Sequence, residues 1–264
     1  MTARPTEDAQ SDERLDVLAD RLPYRIVRQY RIRFEEATAD ETIRTAIFLA
    51  WAADIAWQHS ALLGFDRDWY TSRGFFWLVR AVRLDVLKPV RTYGSAFVTT
   101  QVMGYRRIGA HRHSEVRDAS GELMAGLEID WVMTNARGVP TRVPDDMVHF
   151  VPDPLSTFEM LKVTLAPTPP DAAEQAIRVR RRDLDPLDHV NNSVYIDYFE
   201  EALEAAGQGA LLTALPRRYE IDFVAAAERD DLLVGRTWPI EDGWAYRLSR
   251  DDGTEIFRAR VALI

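Results

Sequence analysis

A chain of 264 residues, 47% hydrophobic and 10% aromatic, has the material for a substantial core, as one large domain or two of modest size. It holds no cysteine, which excludes disulfides, thiol nucleophiles and thiolate metal sites and fits a reducing compartment. A formal net charge of −9 argues against general nucleic-acid binding, because affinity for a polyanion depends on neutralising its phosphates.

The first stretch, Met1 to Asp20, is polar and rich in acids, with no apolar core of signal-peptide length. No run approaches the ~20 apolar residues of a membrane helix. The expectation is a cytoplasmic protein without a membrane span, with residues 1–21 disordered. A strand follows (Tyr24 to Phe34), then a helix from about Asp40 to Leu63. The helix is marked by Ile43, Ala46, Ile47, Ala50, Trp51 and Ile55 and stopped by Gly64. Strands are predicted at Phe75 to Leu87, Ser95 to Met103, Arg107 to Arg117 and Glu122 to Thr134, separated by turn signals. His111-x-His113 falls on one strand face, but nothing nearby completes a metal-ligand set of defined spacing, so no metal is expected. No glycine-rich phosphate loop or dinucleotide fingerprint is present, so no cofactor is expected either.

Five prolines between Pro152 and Pro170 read as a linker packed along the surface (151–173). The layout then repeats. Strand Ala176 to Arg182 leads to a helix from about Asn192 to Ala206, stopped by Gly207. Strands follow at Arg218 to Ala225, Asp231 to Ile240, Trp244 to Arg250 and Glu255 to Ile264. Each half (22–150 and 174–264) thus describes a curved antiparallel sheet wrapped around one helix, an α+β class. Pairing two copies completes the surface that a single copy leaves open. Arginine makes up all the basic residues except Lys88 and Lys162. The local runs (Arg178, Arg180, Arg181, Arg182; Arg106, Arg107; Arg217, Arg218) are either solvated strand faces or seats for an acidic carrier or a phosphate.

The most informative segment is Asp183-Leu-Asp-Pro-Leu-Asp-His-Val-Asn-Asn192, followed by Ser193-Val-Tyr195. It packs a carboxylate (Asp185) and an imidazole (His189) into the turn where a strand delivers the chain to a helix N-terminus. That end of a helix offers free N–H groups and a partial positive charge, which suits a carbonyl oxygen that becomes negative during reaction. An Asx turn ahead of the helix would also explain Asp185, and capping would explain Asn191 or Asn192.

The pattern Asp-x-x-x-His-Val-Asn-Asn-x-x-Tyr resembles the active-site motif of hotdog-fold thioesterases. The first half resembles the N-terminal repeat of acyl–acyl-carrier-protein thioesterases, on Ala56-Trp-Gln-His-Ser-Ala-Leu-Leu-Gly-Phe65, Phe76-Trp-Leu-Val-Arg-Ala-Val-Arg83, and Asp130-Trp-Val-Met-Thr-Asn135 with Arg142-Val-Pro144. Together the similarity covers roughly residues 22 to 264. It implies a double hotdog, two tandem repeats with the chemistry in the second, acting on an acyl thioester of acyl carrier protein or coenzyme A. It further implies that Asp185 serves as base or nucleophile and that His189 is a catalytic partner or orders the turn. Val190, Asn191 and Asn192 would turn their N–H groups toward the carbonyl, with Tyr195 and Glu200 further along the helix, Tyr195 as a substrate-binding candidate.

Two departures stand out. Leu187 replaces the Asn that those enzymes carry two residues after the Asp, and Ala226-Ala227 falls where they carry Glu-Cys, with Glu228 one position away. Both departures keep two other readings open: a hotdog enzyme of polyketide or other secondary metabolism, and a non-catalytic acyl-binding protein. Two repeats in one chain are compatible with a monomer or a homodimer.

Overall fold

The computed structural model describes residues 24–149 and 158–264. The N-terminal stretch expected to be disordered, and the first part of the linker, lie outside these residues. Strand β1 (Arg25–Arg31) passes through a 3-10 turn (Phe34–Glu36) and a tight loop into helix α1 (Thr45–Leu62). Phe48, Leu49, Ala52 and Ile55 are essentially inaccessible, because α1 is apolar around most of its circumference and the sheet wraps it. It begins later than the expected Asp40, since residues 38–44 form a closed loop with Glu41 at φ 60°.

Helix α2 (Arg67–Arg73) is capped by Asp66, whose carboxylate accepts the Trp69 N–H at 2.9 Å. It ends at Gly74, in the left-handed region at φ 63°. Neither α2 nor the shorter α3 (Asp145–Val148) is among the expected elements, because both fall below the window of about eleven residues that periodicity needs. Strands β2 (Phe75–Val86), β3 (Ser95–Tyr105), β4 (Gly109–Arg117) and β5 (Leu123–Asn135) match the expected segments to within two residues.

In the second half, β6 (Ala173–Arg178) stops short of Arg182, because Arg181–Asp183 wind into a second 3-10 turn. Helix α4 (Val194–Ala205) buries Tyr195, Ile196, Phe199, Ala202 and Leu203 and turns Glu201 and Glu204 outward, an amphipathic stripe at helical spacing. The short α5 (Gly209–Thr213) and strands β7 (Arg217–Phe223), β8 (Leu232–Ile240), β9 (Gly243–Arg250) and β10 (Glu255–Leu263) complete the chain.

All strands join one antiparallel sheet in the order β1-β3-β4-β5-β2-β7-β10-β9-β8-β6. The order reads as one repeat followed by its mirror, β1-β3-β4-β5-β2 against β7-β10-β9-β8-β6. The seam is the β2–β7 pair, from Ala81 opposite Asp222 to Val86 opposite Arg217. Each repeat's innermost strand thereby covers the other's open edge. This is a double hotdog, with α1 and α4 side by side inside the curved sheet.

On the outer face of β4 and β5, His111 is held between Asp130 (Nδ1–Oδ1 2.7 Å) and Glu128 (Nε2–Oε2 2.7 Å), and His113 Nδ1 meets Glu128 at 2.6 Å. The linker is pinned here: Phe158 stacks on His111 and the Leu161 N–H donates to Asp130. Burial disfavours the charged His111 ring, but the bonds to Asp130 and Glu128 outweigh it and raise its pKa from 6.5 to about 9. A pKa raised by folding gives stability that is complete below pH 6.5 and lost as pH rises through about 9. We expect a loss of about 2–3 kcal/mol over that window, below the full linkage value because the cluster is partly solvated. His111→Gln should flatten the slope in thermal unfolding followed across pH; a slope that persists in the variant would remove His111 as its cause.

Candidate active site

The loop before α4 is closed by its own backbone. Leu184 bridges Val190, the Asp185 N–H donates to His189 O (2.8 Å), and the Asp188 N–H donates to Asp185 O (3.0 Å). Asp188 sits at φ 62°, where an aspartate is tolerated better than most residues. The Asp185 carboxylate is fixed by one oxygen: Oδ1 accepts the N–H groups of Leu187 (2.8 Å) and His189 (3.4 Å). Its Oδ2 has no hydrogen-bond partner among the described residues. The expected Asx turn is present, and it leaves one oxygen free for chemistry.

The expected row of free N–H groups is not there. Val190 N–H donates to Ala227 O at 2.9 Å and Asn191 N–H to Asp183 O at 2.8 Å. The reason is that His189 and Val190 run as a short strand beside Ala227 and Glu228, so their backbone is engaged before any helix begins. Helix α4 starts only at Val194, with the Asn191 Oδ1 accepting from both the Ser193 N–H (3.0 Å) and its hydroxyl (2.8 Å). Asn192 is the exception. Neither its backbone N–H nor its side-chain amide has a partner among the described residues, and the same holds for the His189 imidazole.

The first repeat contains the same loop in different residues. Ala37 bridges Ile43, the Thr38 N–H donates to Thr42 O (2.8 Å), the Glu41 N–H to Thr38 O (3.1 Å) and the Arg44 N–H to Glu36 O (2.9 Å). The Ile43 N–H donates to Val90 O at 2.9 Å, as Val190 does to Ala227. The positions of Asp185, His189 and Asn191 are therefore held by Thr38, Thr42 and Arg44. Of these two loops, only the second carries a carboxylate and an imidazole.

Two cavities meet at Asp185. One, of about 500 Å3, is lined by Asp185, His189, Val190, Asn192 and Tyr195 together with Trp77 from β2. The other, of about 540 Å3, lies between this loop and the first repeat, against Asp54 and Trp57 of α1, Trp77 and Trp131. Asp185, Leu187 and Asn192 line both. Asp54 is 131 positions from Asp185, and the fold alone brings it to the same cavity, where its Oδ2 accepts from Tyr30 (2.5 Å) and Gln58 (2.8 Å). As the helical geometry requires, His59 faces elsewhere, toward Arg112.

Tyr195 is 2% exposed and forms a cavity wall, its hydroxyl accepting the Ala227 N–H at 2.9 Å and its ring stacked on Phe257. Glu200 is outside this site: it accepts the Tyr219 hydroxyl at 2.6 Å at the α1–α4 junction. Leu187 is half-exposed and presents only an apolar side chain to both cavities. Ala227 contributes its backbone to the loop, Ala226 its methyl to the wall, and the exposed Glu228 lines neither cavity.

The acyl-ACP thioesterase N-terminal domain matches residues 23–151 and the C-terminal domain residues 168–258. The chain is 24% identical over 231 residues to oleoyl-acyl carrier protein thioesterase 2 (chloroplastic) of Arabidopsis thaliana, covering 80% of this chain and 61% of the relative. It is 23% identical over 236 residues to oleoyl-acyl carrier protein thioesterase (chloroplastic) of Coriandrum sativum, covering 82% and 62%. The chain thus spans about three fifths of the length of these relatives. An acyl-ACP thioesterase from Bacteroides thetaiotaomicron has the same fold, with TM-score 0.76, 16% identity and coverage of 90% of this chain and 97% of that one. So does the 12:0-ACP thioesterase from Umbellularia californica, with TM-score 0.73, 19% identity and coverage of 90% and 96%. Matched along both repeats, the chain belongs to the acyl-ACP thioesterase family.

Proposed function

We propose that the protein hydrolyses an acyl thioester carried on acyl carrier protein, with Asp185 as the general base. The reading rests chiefly on one observation: Asp185 and Asn192, each with an unengaged polar group, line both cavities where these meet. A thioester lying across that junction has its carbonyl beside both residues, its acyl chain in one cavity and its pantetheine in the other. Asp185 Oδ2 takes a proton from water as the water oxygen attacks the carbonyl carbon. The negative oxygen that forms is met by Asn192. The C–S bond then breaks, and the departing sulfur takes back the proton, from Asp185 or through His189.

The acyl chain goes to the first repeat. There a further chamber adjoins the cavity between α1 and the sheet, whereas the second repeat's interior is filled by stacked rings, Phe199 on Tyr246 (5.0 Å) and Tyr195 on Phe257 (5.3 Å). The exposed Arg180, Arg181 and Arg182 lie just ahead of the active loop and favour an acidic carrier protein over a neutral one. Coenzyme A, whose phosphates they would also attract, is the competing carrier. The test is thiol release from a ladder of acyl-carrier-protein and acyl-coenzyme A thioesters; no release from any of them would overturn the hydrolase.

Asn192→Ala removes the side-chain donor and leaves the backbone. It should lower kcat by about 10–100-fold with a smaller change in KM, since the interaction matters most once charge has developed. An equal effect on substrate binding would identify Asn192 as a ground-state contact instead.

A further inference from the structure

A small chamber of the first repeat, next to the Asp185 cavity but not lined by Asp185, carries polar groups that a plain hydrocarbon chain cannot use. This inner chamber, of about 60 Å3, borders the Asp185 cavity, with Ala53, Trp57, Tyr70, Trp77 and Trp131 lining both. Arg112 of β4 lines it. Its Nη1 donates to His59 Nδ1 (3.1 Å) and Thr100 Oγ1 (3.3 Å), neither of them a carboxylate. Among the described residues no carboxylate lies within ion-pair distance of it, and its remaining guanidinium N–H groups have no protein acceptor. Partial burial lowers the pKa of Arg112 from its ordinary value.

A second, independent donor belongs to a residue of the same wall. The Trp131 Nε1–H is buried without any hydrogen-bond partner, and Trp131 lines both the inner chamber and the Asp185 cavity. A buried donor left unmade costs about 1–3 kcal/mol, so an orphan in the wall of a chamber that also holds a cation without a carboxylate partner points to a missing acceptor. The chamber has room for it: one water needs roughly 10–15 Å3 by the same kind of measure, and here there is space for a few non-hydrogen atoms. A terminal methyl group in this chamber would leave both donors unsatisfied.

We propose that the acyl chain this enzyme accepts ends in a carboxylate, which Arg112 and the Trp131 Nε1–H bind in this chamber of the first repeat. The substrate class is then an ω-carboxyacyl thioester, and hydrolysis releases an α,ω-dicarboxylic acid. This rests on the thioesterase reading for the position of the thioester, but the binding site itself does not depend on turnover.

The test is direct titration of the full chain with free dicarboxylic acids and with monocarboxylic and ω-hydroxy acids of matched length, followed by calorimetry. A charge-assisted bond predicts that the best dicarboxylic acid binds about 10–100-fold more tightly than its monocarboxylic counterpart. Arg112→Met should abolish that advantage and Arg112→Lys keep part of it. Trp131→Phe preserves most of the ring volume, removes the N–H and should reduce the advantage severalfold, which decides the matter if Arg112→Met does not fold. Equal or undetectable binding of the diacids, a preference for the ω-hydroxy acid, or an advantage that survives Arg112→Met would each overturn the proposal. A chain that prefers diacids yet releases no thiol would overturn only the hydrolase; one that cleaves straight-chain thioesters with no diacid preference would overturn only the carboxylate site.

Discussion

Asp185→Asn should lower kcat by about 10³-fold, within the range for loss of a general base, while KM changes only a fewfold and the melting temperature holds. The substitution is nearly isosteric. An amide oxygen at Oδ1 still accepts the Leu187 and His189 N–H groups that close the loop. What changes is the free Oδ2, the only part of the side chain without a protein partner, which becomes an NH2 that cannot take a proton from water. Stability and chemistry therefore rest on different oxygens of one carboxylate, which makes the split between kcat and Tm diagnostic. Thiol release measured beside thermal unfolding checks it. If activity stays within tenfold of wild type, Asp185 is a loop-forming residue, as its counterpart Thr38 is in the first repeat. If activity and folding fail together, the variant is uninformative about catalysis and Asp185→Glu, which keeps the charge but moves it by one methylene, becomes the discriminating change.

The comparison of these two loops also shows what a sequence reveals. The second was legible because its chemistry is written in side chains, Asp185 and His189 at fixed spacing before an amphipathic helix. The first, Thr38 to Arg44, follows the same hydrogen bonds with none of the same residues, so pattern reading extended the helix through it to Asp40. Strands were legible from alternation and turns, because each buries one face against a helix. Hydrogen-bond engagement was not: nothing in His-Val-Asn-Asn tells that the Val190 and Asn191 N–H groups are taken by Ala227 and Asp183 while Asn192 stays free. Nor could periodicity place Asp54 or Trp77 beside Asp185, because those contacts are made by the seam between repeats, more than a hundred positions along the chain. Arg112 was hidden for the opposite reason. In a strand with charged and polar residues on both sides of it, an inward arginine looks like one more solvated residue.

Arg217 makes the same point about stability, and Arg217→Met should cost about 3 kcal/mol, near the lower end for removing one partner of a buried charged pair. Read from sequence, Arg217 and Arg218 are an ordinary basic run. In the fold they have opposite environments. Arg218 is half-exposed and pairs with Asp85 across the β2–β7 seam, a contact worth up to about 1 kcal/mol. Arg217 is 7% exposed and donates to Tyr219 Oη (3.1 Å), Ala214 O (3.2 Å) and Thr45 Oγ1 (3.0 Å), tying β7 of the second repeat to α1 of the first. Tyr219 in turn donates to Glu200, so the cation and the carboxylate stand on either side of one hydroxyl. Burial pushes the Glu200 carboxyl up, and bonds from Tyr219 and Thr45 with the charge of Arg217 hold it back. Methionine keeps much of the stem's volume but removes the charge, leaving Glu200 to be ionised without a counter-ion or to take up a proton. Two consequences separate this from a simple packing loss. The urea midpoint of Arg217→Met should fall well below that of Arg218→Met, and the deficit should shrink as pH is lowered, because protonating Glu200 removes the charge that Arg217 was balancing. Adding Glu200→Gln to Arg217→Met should recover part of the loss, since an uncharged amide no longer needs the cation. A deficit that is constant with pH and unchanged in the double variant would mean that Arg217 acts through its hydrogen bonds to Thr45 and Ala214 alone.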